Sequence, residues 1–534
     1  MDSKKIAFIS CVNDDATYKE CLRFIDALEI PEGYSIEKIA IKNARSLTSG
    51  YNEAMKKTDA KYKIYIHQDT YIINRKILFD ILEVFKDDNV GLIGAAGALT
   101  IPPNGIWWDS LGIEGSLYHN HNGNELEICG SKTDVDKVID VKAIDGLIMI
   151  TQKDVEWRED LFDGWHFYDV SQSVEFLKLD YKIKVIKKVE PWIIHDCGTI
   201  WVNHDDIYNK YRAIFLKEYS DFLFPLVSII ITAYNRPKYF IEALESAINQ
   251  SYIKKEIVII DNSTNDEVMK VMDNYKNYDY IRYYKNEKEL KVIENFNKGI
   301  KLAKSNYVTL LMDDDILYED KLTEMMKYFI GDNNISLVTS KRTCIDRNGS
   351  LIRDRQETSR ITLDPIYLND KFVKQYYELS LFNFLGETTV PIFRKDLLEG
   401  SFGEYRGKTY EVISEFVTWI SLLEKGKGVY IEEPLSYFRN HPDQDQRKVD
   451  TKAKGLIEII LLVENFFIEG KNIMTKETFG KIINAIIEYK IIIKENNFNL
   501  DERLFNKIIE DLGKIQLDIK LQSLDQVIKK IKLI

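Results

Sequence analysis

Residues 226–262 read LVSIIITAYNRPKYFIEALESAINQSYIKKEIVIIDN. In this stretch a short apolar run (226–232) is followed by a polar turn, a helix-like segment and a second apolar run (256–262). Apolar runs of this length, bounded by turn residues, are typical of buried strands. The N-terminus follows the same plan, with IAFIS at 6–10 and KIAI at 38–41. Strands that alternate with helices predict an α/β fold, with a mainly parallel, Rossmann-like sheet covered by helices on both faces.

The composition is that of a globular protein with ample core. The 534 residues are 45% hydrophobic and 30% charged, and the net charge is −12, which argues against a protein that coats nucleic acid. The five cysteines form no CxxC pair, which argues against a disulfide framework or a structural zinc site. The most apolar uncharged run, 222–235, has 14 residues, whereas a membrane span needs about 20. We therefore expect a cytoplasmic protein without a membrane span, which meets a membrane only peripherally, at its inner face.

Two spacings between polar residues occur twice in the chain. Since matched spacings of this kind indicate an internal repeat, we expect one α/β unit used twice. The spacings are Asn52 to Asp69 and Asn297 to Asp314, both 17 residues, and Asp169 to His195 and Glu415 to His441, both 26 residues.

The repeat and the composition together predict three segments. The first unit spans 1–222 and the second spans 223–447. From 448 to 534 apolar residues recur at helical spacing without strand-like alternation, which predicts an all-helical C-terminal tail. Such a tail is a candidate surface for contacts with a partner or a second copy.

Three consecutive aspartates, 313–315, follow an apolar strand in LLMDDDILYEDKL (310–322). The carboxyl ends of strands are where ligands bind in open α/β sheets. Adjacent like charges are costly unless a cation neutralises them, and oxygen ligands suit Mg²⁺ or Mn²⁺, which in turn bridge phosphate oxygens. Taken alone, the string is equally compatible with a solvated acidic loop.

The second unit resembles the family 2 glycosyltransferases over nearly all of 226–447. The resemblance implies a GT-A fold, used in tandem here, and an inverting, metal-dependent transfer of sugar from a nucleotide sugar. It implies Mn²⁺ or Mg²⁺ as cofactor and a glycan, lipid-linked or protein acceptor, with no role for nucleic acid. The segments that carry it, in order, are VSIIITAYNRPKYFIEALESAINQS (227–251), EIVIIDNSTND (256–266), NKGIKLA (297–303), the DDD string, LGETTVPIFRKD (385–396), EFVTWISLLEKG (415–426) and EEPLSYFRNHPDQ (432–444).

The resemblance also implies roles for individual residues. Asp261 is expected to accept a hydrogen bond from the base imide, which favours a UDP-sugar. Asp315 is expected to bind the metal together with His441, for which a loop histidine beside Pro442 is the alternative interpretation. The whole implied nucleotide-binding set is Thr232, Tyr234, Asn235, Arg236, Asp261, Asn297, Asp313 and Asp314.

An inverting transfer needs a carboxylate that takes the proton of the acceptor hydroxyl. Glu415 stands four residues before Trp419, so both lie on one helix face, and the resemblance places the base there. Glu411, one turn earlier, is the competing candidate. Glu387 and Thr388, together with Trp419, are expected on the acceptor side.

The first unit has altered ligands at the corresponding strand end. Its string YIHQDTYI (65–72) offers Asp69 as a metal ligand, helped by His195. A gap-free alignment sets Asp69 on Asp314, whereas the family motif sets it on Asp315, and both alignments stay open.

A second string of this unit, DLFDGWHFYDVSQSVEF (160–176), is similar to the acceptor-side helix of a glycosyltransferase-like group. This similarity implies that Asp169 is a general base and that Trp165, His166 and Tyr168 form a wall of the sugar pocket.

Three functional hypotheses follow. The leading one is a bifunctional glycosyltransferase with one active site per unit. In the second, 223–447 holds the single active site and 1–222 is a non-catalytic acceptor-binding or scaffolding module. The third is a carbohydrate-binding protein without catalysis, against which the DDD string and Glu415 speak. A sugar nucleotidyltransferase is disfavoured because TAYNRP (232–237) stands where its glycine-rich first loop would be.

Overall fold

The protein is described by a computed structural model. Its chain divides into two compact units, Met1–Phe224 and Pro225–Ile534. Among the described residues, none of the helices combines the length and the apolarity needed to cross a membrane. The described residues are 1–120, 126–196, 206–354, 358, 362–374, 383–441, 451, 454–459, 461–462, 480, 484 and 487, so most of the predicted helical tail lies outside them.

The first unit is built from strands and helices that alternate in its first half. Its helices are α1 (Asp15–Asp26), α2 (Leu47–Lys57), α3 (Ile77–Val84), α4 (Tyr168–Lys178) and α5 (Asp206–Leu223). Its strands are β1 (Asp2–Val12), β2 (Ser35–Lys42), β3 (Ala60–Ile66), β4 (Thr70–Ile72), β5 (Val90–Gly94), β6 (Ala96–Ala98), β7 (Ile113–His119), β8 (Glu127–Gly130), β9 (Lys137–Val141), β10 (Ala143–Ile144), β11 (Ile148–Thr151), β12 (Lys182–Lys187) and β13 (Ile193–His195).

The main sheet of this unit has the strand order β2-β1-β3-β11-β5-β12-β9. Strands β2, β1 and β3 run parallel, whereas β11 is antiparallel to both of its neighbours. A second, smaller sheet joins β10, β6, β7, β13 and β4, with β8 paired to β7. Apolar side chains fill both faces of the main sheet, as expected for strands that helices cover on each side.

The second unit repeats this plan. Its main sheet has the order β16-β15-β14-β17-β21-β19-β24-β18, with β20 paired to β24, and β22 pairs with β23. Its helices are α6 (Pro237–Ile248), α7 (Glu267–Met272), α8 (Val292–Leu302), α9 (Lys321–Gly331) and α10 (Ser414–Leu423). Its strands are β14 (Val227–Ala233), β15 (Lys255–Asp261), β16 (Ile281–Lys285), β17 (Tyr307–Met312), β18 (Ile316–Leu317), β19 (Ile335–Ile345), β20 (Ile366–Leu368), β21 (Ile392–Arg394), β22 (Glu404–Tyr405), β23 (Lys408–Thr409) and β24 (Lys427–Arg439).

The two sheets correspond strand by strand. The order β2-β1-β3-β11-β5-β12 in the first unit matches β15-β14-β17-β21-β19-β24 in the second, including the antiparallel strand between β3 and β5 or between β17 and β19. Each main sheet is therefore mixed. Its parallel half, built around β1 or β14, carries the strand ends at which the predicted site residues stand.

A pair of asparagines shows how closely the units correspond. The side-chain amide of Asn52 donates to the carbonyl of Trp157 and accepts from its N–H, both at 2.9 Å. The amide of Asn297 makes the same two bonds with Phe402, at 3.2 and 2.8 Å. Both partners lie 105 residues further along the chain. Since these bonds engage both ends of its amide, Asn297 anchors a loop and does not present a free amide to a nucleotide, contrary to the expectation above.

Part of the segment after residue 450 belongs to the core of the second unit. Leu462 is fully buried, and Leu456 packs against the same apolar cluster. The buried carboxylate of Glu458 accepts the backbone N–H groups of residues 411, 412 and 413 at 2.9, 2.8 and 3.0 Å. These N–H groups lie just before α10, whose N-cap residue, Ile413, makes no side-chain capping bond. Glu458 therefore holds the three residues that lead into α10, the last of which, Ile413, is its N-cap residue.

Candidate active sites of the two units

The aspartates at the end of β17 are held by one arginine. The guanidinium of Arg236 contacts both Asp313 and Asp314, with 2.7 Å from Nη1 to Asp314 Oδ2. Asp314 Oδ2 also lies 2.8 Å from Nε2 of His441. Burial acts to raise the pKa of the Asp314 carboxyl, but the His441 hydrogen bond and the Arg236 charge outweigh it and hold this pKa below its usual range. The guanidinium thus stands where the sequence predicts a metal ion.

Asp315 faces the interior instead. Its carboxylate accepts the Thr389 hydroxyl at 2.7 Å and the Arg439 N–H at 2.9 Å, and only 2% of the residue is exposed. Burial, with the neighbouring Asp314 charge, raises the pKa of the Asp315 carboxyl well above its usual range. The structure therefore does not bring Asp315 and His441 together as a metal-binding pair. Residues 313 and 314 form a turn after β17, and it is Asp314 that meets His441.

The expected nucleotide side lies on the loops after β14 and β15. Tyr234 donates its N–H to Asp313 at 2.7 Å and is 40% exposed. Asn235 has a left-handed backbone, with φ of 55°, and receives the Thr264 N–H on its side-chain oxygen at 3.0 Å. These loops leave exposed polar groups beside the carboxylates, which suits a nucleotide.

Two residues predicted for the nucleotide side are buried. Thr232 is 7% exposed, and its hydroxyl contacts the sulfur of Met312. Asp261 is fully buried, and its oxygens accept the Tyr283 hydroxyl at 2.6 Å and the Ser263 N–H at 2.8 Å. In this conformation Asp261 does not reach a base imide directly.

Glu415 is the second residue of α10 and lies partly buried at its first turn. Burial, with a contribution from the Glu387 charge, raises the pKa of its carboxyl to about 7. Glu411, the competing candidate, instead forms ion pairs with Lys291 and Lys454, which lower its pKa. A general base is most effective when its pKa lies near the working pH, so the geometry favours Glu415 over Glu411.

In the first unit a His–Asp–His group stands at the end of β3. Asp69 Oδ1 lies 4.0 Å from Nδ1 of His67 and 3.8 Å from Nε2 of His195. Among the described residues, this is the one group of three side chains whose possible metal-ligating atoms lie within 4.8 Å of one another. The predicted Asp69–His195 pair is thus brought together, and His67 joins it.

The structure also bears on which aspartate of the second unit Asp69 matches. Gln68 accepts the N–H of Asn13, the first residue after β1, at 3.0 Å. Asp313 does the same for Tyr234, the first residue after β14. Gln68 therefore corresponds to Asp313 and Asp69 to Asp314, as in the gap-free alignment. Each aspartate of this pair faces the late histidine of its own unit.

Asp169 repeats the setting of Glu415, because it is the second residue of α4. Burial and the charge of Asp145 raise the pKa of its carboxyl to about 7. Asp145 lies three residues before β11, and Glu387 lies five residues before β21. Sequence reasoning missed Asp145, although the acidic residue of AIDG (143–146) before an apolar strand, matching the one in LGETTV (385–390), was an available signal.

Comparison with known proteins matches each of the two units to a glycosyltransferase family. The model of a "glycosyltransferase like family" matches residues 7–219, and that of "glycosyl transferase family 2" matches residues 228–398. The chain is a tandem of two family 2-type glycosyltransferase units. The fold assigned from the sequence, two GT-A units in tandem, agrees with this match.

Individual relatives cover parts of the chain. An uncharacterized glycosyltransferase of Methanocaldococcus jannaschii is 32% identical over 133 residues, 24% of this chain and 46% of the relative. Abequosyltransferase RfbV of Salmonella typhimurium is 28% identical over 277 residues, 48% of this chain and 80% of the relative. The chain spans less than half the length of the first relatives it matches, at 46%, 21% and 21%. The crystal structure of S. aureus TarS aligns with a TM-score of 0.36 at 17% identity, over 57% of this chain and 52% of that chain.

The residues expected on the acceptor side of the second glycosyltransferase unit are mostly buried. Trp419 is fully buried in the apolar core and donates its indole N–H to the Gly386 carbonyl at 3.1 Å, so it does not line a pocket as predicted. Glu387 pairs with Arg342, with 3.0 Å between Oε1 and Nη2. Thr388 is 7% exposed. Of these residues, Glu387 lies close enough to influence the pKa of Glu415.

The aromatic residues of the first glycosyltransferase unit are more open. Trp165 is 50% exposed, and the ring of His166 makes an edge contact with Tyr208. Tyr168 is 6% exposed, and its hydroxyl lies 2.7 Å from Nε2 of His67. Trp165 therefore has an exposed indole that could stack on a sugar ring. Tyr168 is instead buried, and its hydroxyl contacts His67 of the His–Asp–His group.

The two glycosyltransferase units differ in how well they fit a divalent ion. The first presents two imidazoles and a carboxylate, all of which are usual metal ligands. In the second, a metal would have to displace the Arg236 guanidinium from Asp313 and Asp314, while Asp315 is turned away. The described residues therefore fit a metal in the first unit and do not in the second.

Proposed function

We propose that the chain transfers sugars from nucleotide-sugar donors to hydroxyl acceptors with inversion, at one active site in each unit. The observation that carries the proposal is the matched pair Asp169 and Glu415. Each is the second residue of a helix, partly buried, with its pKa raised to about 7. A unit kept only as a scaffold has no need for a carboxylate of this kind, so the pair favours two active sites over one active site and a binding module.

In the second unit, Glu415 is the proposed base. The acceptor hydroxyl attacks the anomeric carbon while the bond to the nucleoside diphosphate breaks, and the carboxylate of Glu415 takes the hydroxyl proton as the new bond forms. A single displacement of this kind inverts the anomeric centre. The raised pKa makes the carboxylate a stronger proton acceptor than an ordinary glutamate, while still leaving it largely ionised above pH 7.

The departing diphosphate develops negative charge that the protein must stabilise. In the second unit, Arg236 supplies a guanidinium at the strand end, held by Asp313 and Asp314. In the first unit, Asp69 and His195 would hold a divalent ion, Mn²⁺ or Mg²⁺. When bound there, the ion would supply the positive charge that Arg236 supplies in the second unit.

We further propose a UDP-sugar as donor, on the strength of the family resemblance, and a glycan, lipid-linked or protein acceptor. Four of the cysteines, Cys11, Cys21, Cys129 and Cys344, are free thiols. Free thiols support a reducing, cytoplasmic location, where peripheral contact with a membrane would bring a lipid-linked acceptor within reach.

The proposal is tested by measuring nucleotide release from a panel of nucleotide sugars, with and without an acceptor mixture and Mn²⁺. Acceptor-stimulated release of one nucleotide is expected, with release of a second if the two units use different donors. If the protein binds UDP but releases no nucleotide from any donor, the result would instead favour the third hypothesis, a carbohydrate-binding protein without catalysis.

A further inference from the structure

We propose that His67, Asp69 and His195 form a site that binds one divalent transition-metal ion without help from a nucleotide sugar, and that the second unit binds none under the same conditions. The proposal concerns metal binding alone and holds whether or not either unit transfers sugar. It adds His67 as a ligand. It also distinguishes the two units, because the first would use a metal ion where the second uses the Arg236 guanidinium.

The first support is the spacing of the ligand atoms. Asp69 Oδ1 lies 4.0 Å from His67 Nδ1 and 3.8 Å from His195 Nε2, too far for hydrogen bonds. Ligand atoms about 2.0–2.2 Å from one ion stand roughly 3 to 4 Å apart, so an ion fits between them with a small closure. Asp69 Oδ1 is buried and has no hydrogen-bond partner among the described residues. A buried, unpartnered carboxylate oxygen between two imidazoles is costly unless a cation is there.

The second support is the way His67 is oriented. Its Nε2 lies 2.7 Å from the hydroxyl of Tyr168, on α4, the helix that also carries Asp169. When Nε2 donates its proton to that hydroxyl, Nδ1 presents a lone pair on the side of Asp69. Metal-binding histidines are regularly fixed in this way by a hydrogen bond to the other ring nitrogen. Tyr168 is thus a positioning residue for the site.

The third support is the contrast with the second unit. There Asp314 and His441 stand at the matching positions, but Arg236 contacts both. Asn13 of the first unit matches Tyr234 of the second, so the position that matches Arg236 is Asp15. The carboxylate of Asp15 forms an ion pair with Lys42 at the surface. Among the described residues, the ion-pair partners of Asp69 are His67 and His195, with no lysine or arginine beside it. In this proposal a metal ion takes the place of the internal cation of the second unit.

The donor set also predicts which ions bind. Two imidazoles and one carboxylate favour Mn²⁺, Co²⁺ and Zn²⁺ over Mg²⁺, which prefers oxygen ligands and keeps its waters. Mn²⁺ is a suitable probe because free and bound ion differ in their electron paramagnetic resonance. Co²⁺ reports its ligands through visible absorption.

The experiment is a titration of the chelator-treated, full-length protein with Mn²⁺, without nucleotide, followed by electron paramagnetic resonance. One ion per chain is expected, and His67→Ala or His195→Ala should weaken its binding at least 10-fold. Tyr168→Phe should weaken it roughly 10- to 100-fold, as is common when a supporting hydrogen bond is lost. Asp314→Asn is the matched control in the second unit and should leave the single ion in place.

A second ion should bind when Arg236→Ala removes the guanidinium, and excess Mg²⁺ should displace Mn²⁺ poorly from the wild-type protein. Two ions in the wild-type protein, none at all, or one that is lost in Asp314→Asn but kept in His67→Ala would overturn the proposal. Circular dichroism shows whether each variant is folded. If His67→Ala is not, His195→Gln and the Co²⁺ spectrum of the wild-type protein decide the assignment.

Discussion

Replacing Glu415 with glutamine tests the proposed base of the second unit. The variant keeps the size of the side chain and its place in the first turn of α10 but cannot accept a proton. Removal of a general base typically costs about 10²- to 10⁴-fold in rate, or about 3 to 5 kcal/mol of transition-state stabilisation. Donor binding should change little, since the hydrogen bonds and ion pairs of the described residues do not link Glu415 to Arg236, Asp313 or Asp314.

The raised pKa gives the same prediction a second, independent measure. With a pKa of about 7, the Glu415 carboxyl is about 10% ionised at pH 6 and about 90% ionised at pH 8. The base acts only when ionised, so kcat/KM of the wild-type second unit should rise about tenfold between these pH values. In Glu415→Gln the remaining activity should lose this rise.

The assay follows acceptor-dependent release of nucleotide in an Asp169→Asn background, so that the first unit does not contribute. Glu411→Gln is the matched control, because Glu411 lies four residues earlier, just before α10, and is neutralised by Lys291 and Lys454. It should retain nearly full activity. The reasoning is refuted if Glu411→Gln is the inactive variant, or if Glu415→Gln keeps both the rate and the pH dependence of the wild type.

Three further predictions concern the first unit and the segment that leads into α10. Asp169→Asn should accumulate a product that lacks one sugar, seen by mass spectrometry of acceptor glycans; the complete product at the wild-type rate would show that the first unit is not a transferase. Trp165→Ala should raise the KM for acceptor without lowering the unfolding midpoint, because the indole is half exposed; an unchanged KM would remove Trp165 from the pocket. Glu458→Ala should lower the free energy of unfolding by about 1–3 kcal/mol in denaturant titrations, since it leaves three N–H groups without their acceptor; an unchanged midpoint would contradict its role in holding the segment before α10.

The general plan of both units could be predicted from the sequence because it depends on local patterns. Apolar runs that alternate with helical segments indicated the α/β fold, and matched spacings indicated the repeat. The position of Asp69 and His195 beside each other followed from the repeat together with the family resemblance of the second unit. Each of these inferences needs only the order of residue types along the chain.

The direction in which a side chain points could not be predicted in the same way. Among three consecutive aspartates, the sequence does not tell which one turns inward, and Asp315 does so because Thr389 and the Arg439 N–H receive it. Trp419 was placed at a pocket from its distance to Glu415, yet a tryptophan on a helix packs into the core as readily as it faces a sugar. Asn297 belongs to a repeated spacing that turned out to reflect a shared loop anchor.

The bond network of Glu458 has a consequence for the order in which the second unit is completed during synthesis. The N–H groups that it accepts lie 45 to 47 residues earlier in the chain, so the segment that leads into α10 lacks this acceptor until the chain has grown past residue 458. Closing a loop of this length costs conformational entropy, which the hydrogen bonds to Glu458 must offset. This cost delays the ordering of the segment that leads to Glu415. A nascent chain would thus form the sheet and the Arg236 cluster first and acquire its proposed base last, so that donor binding would precede transfer competence during folding.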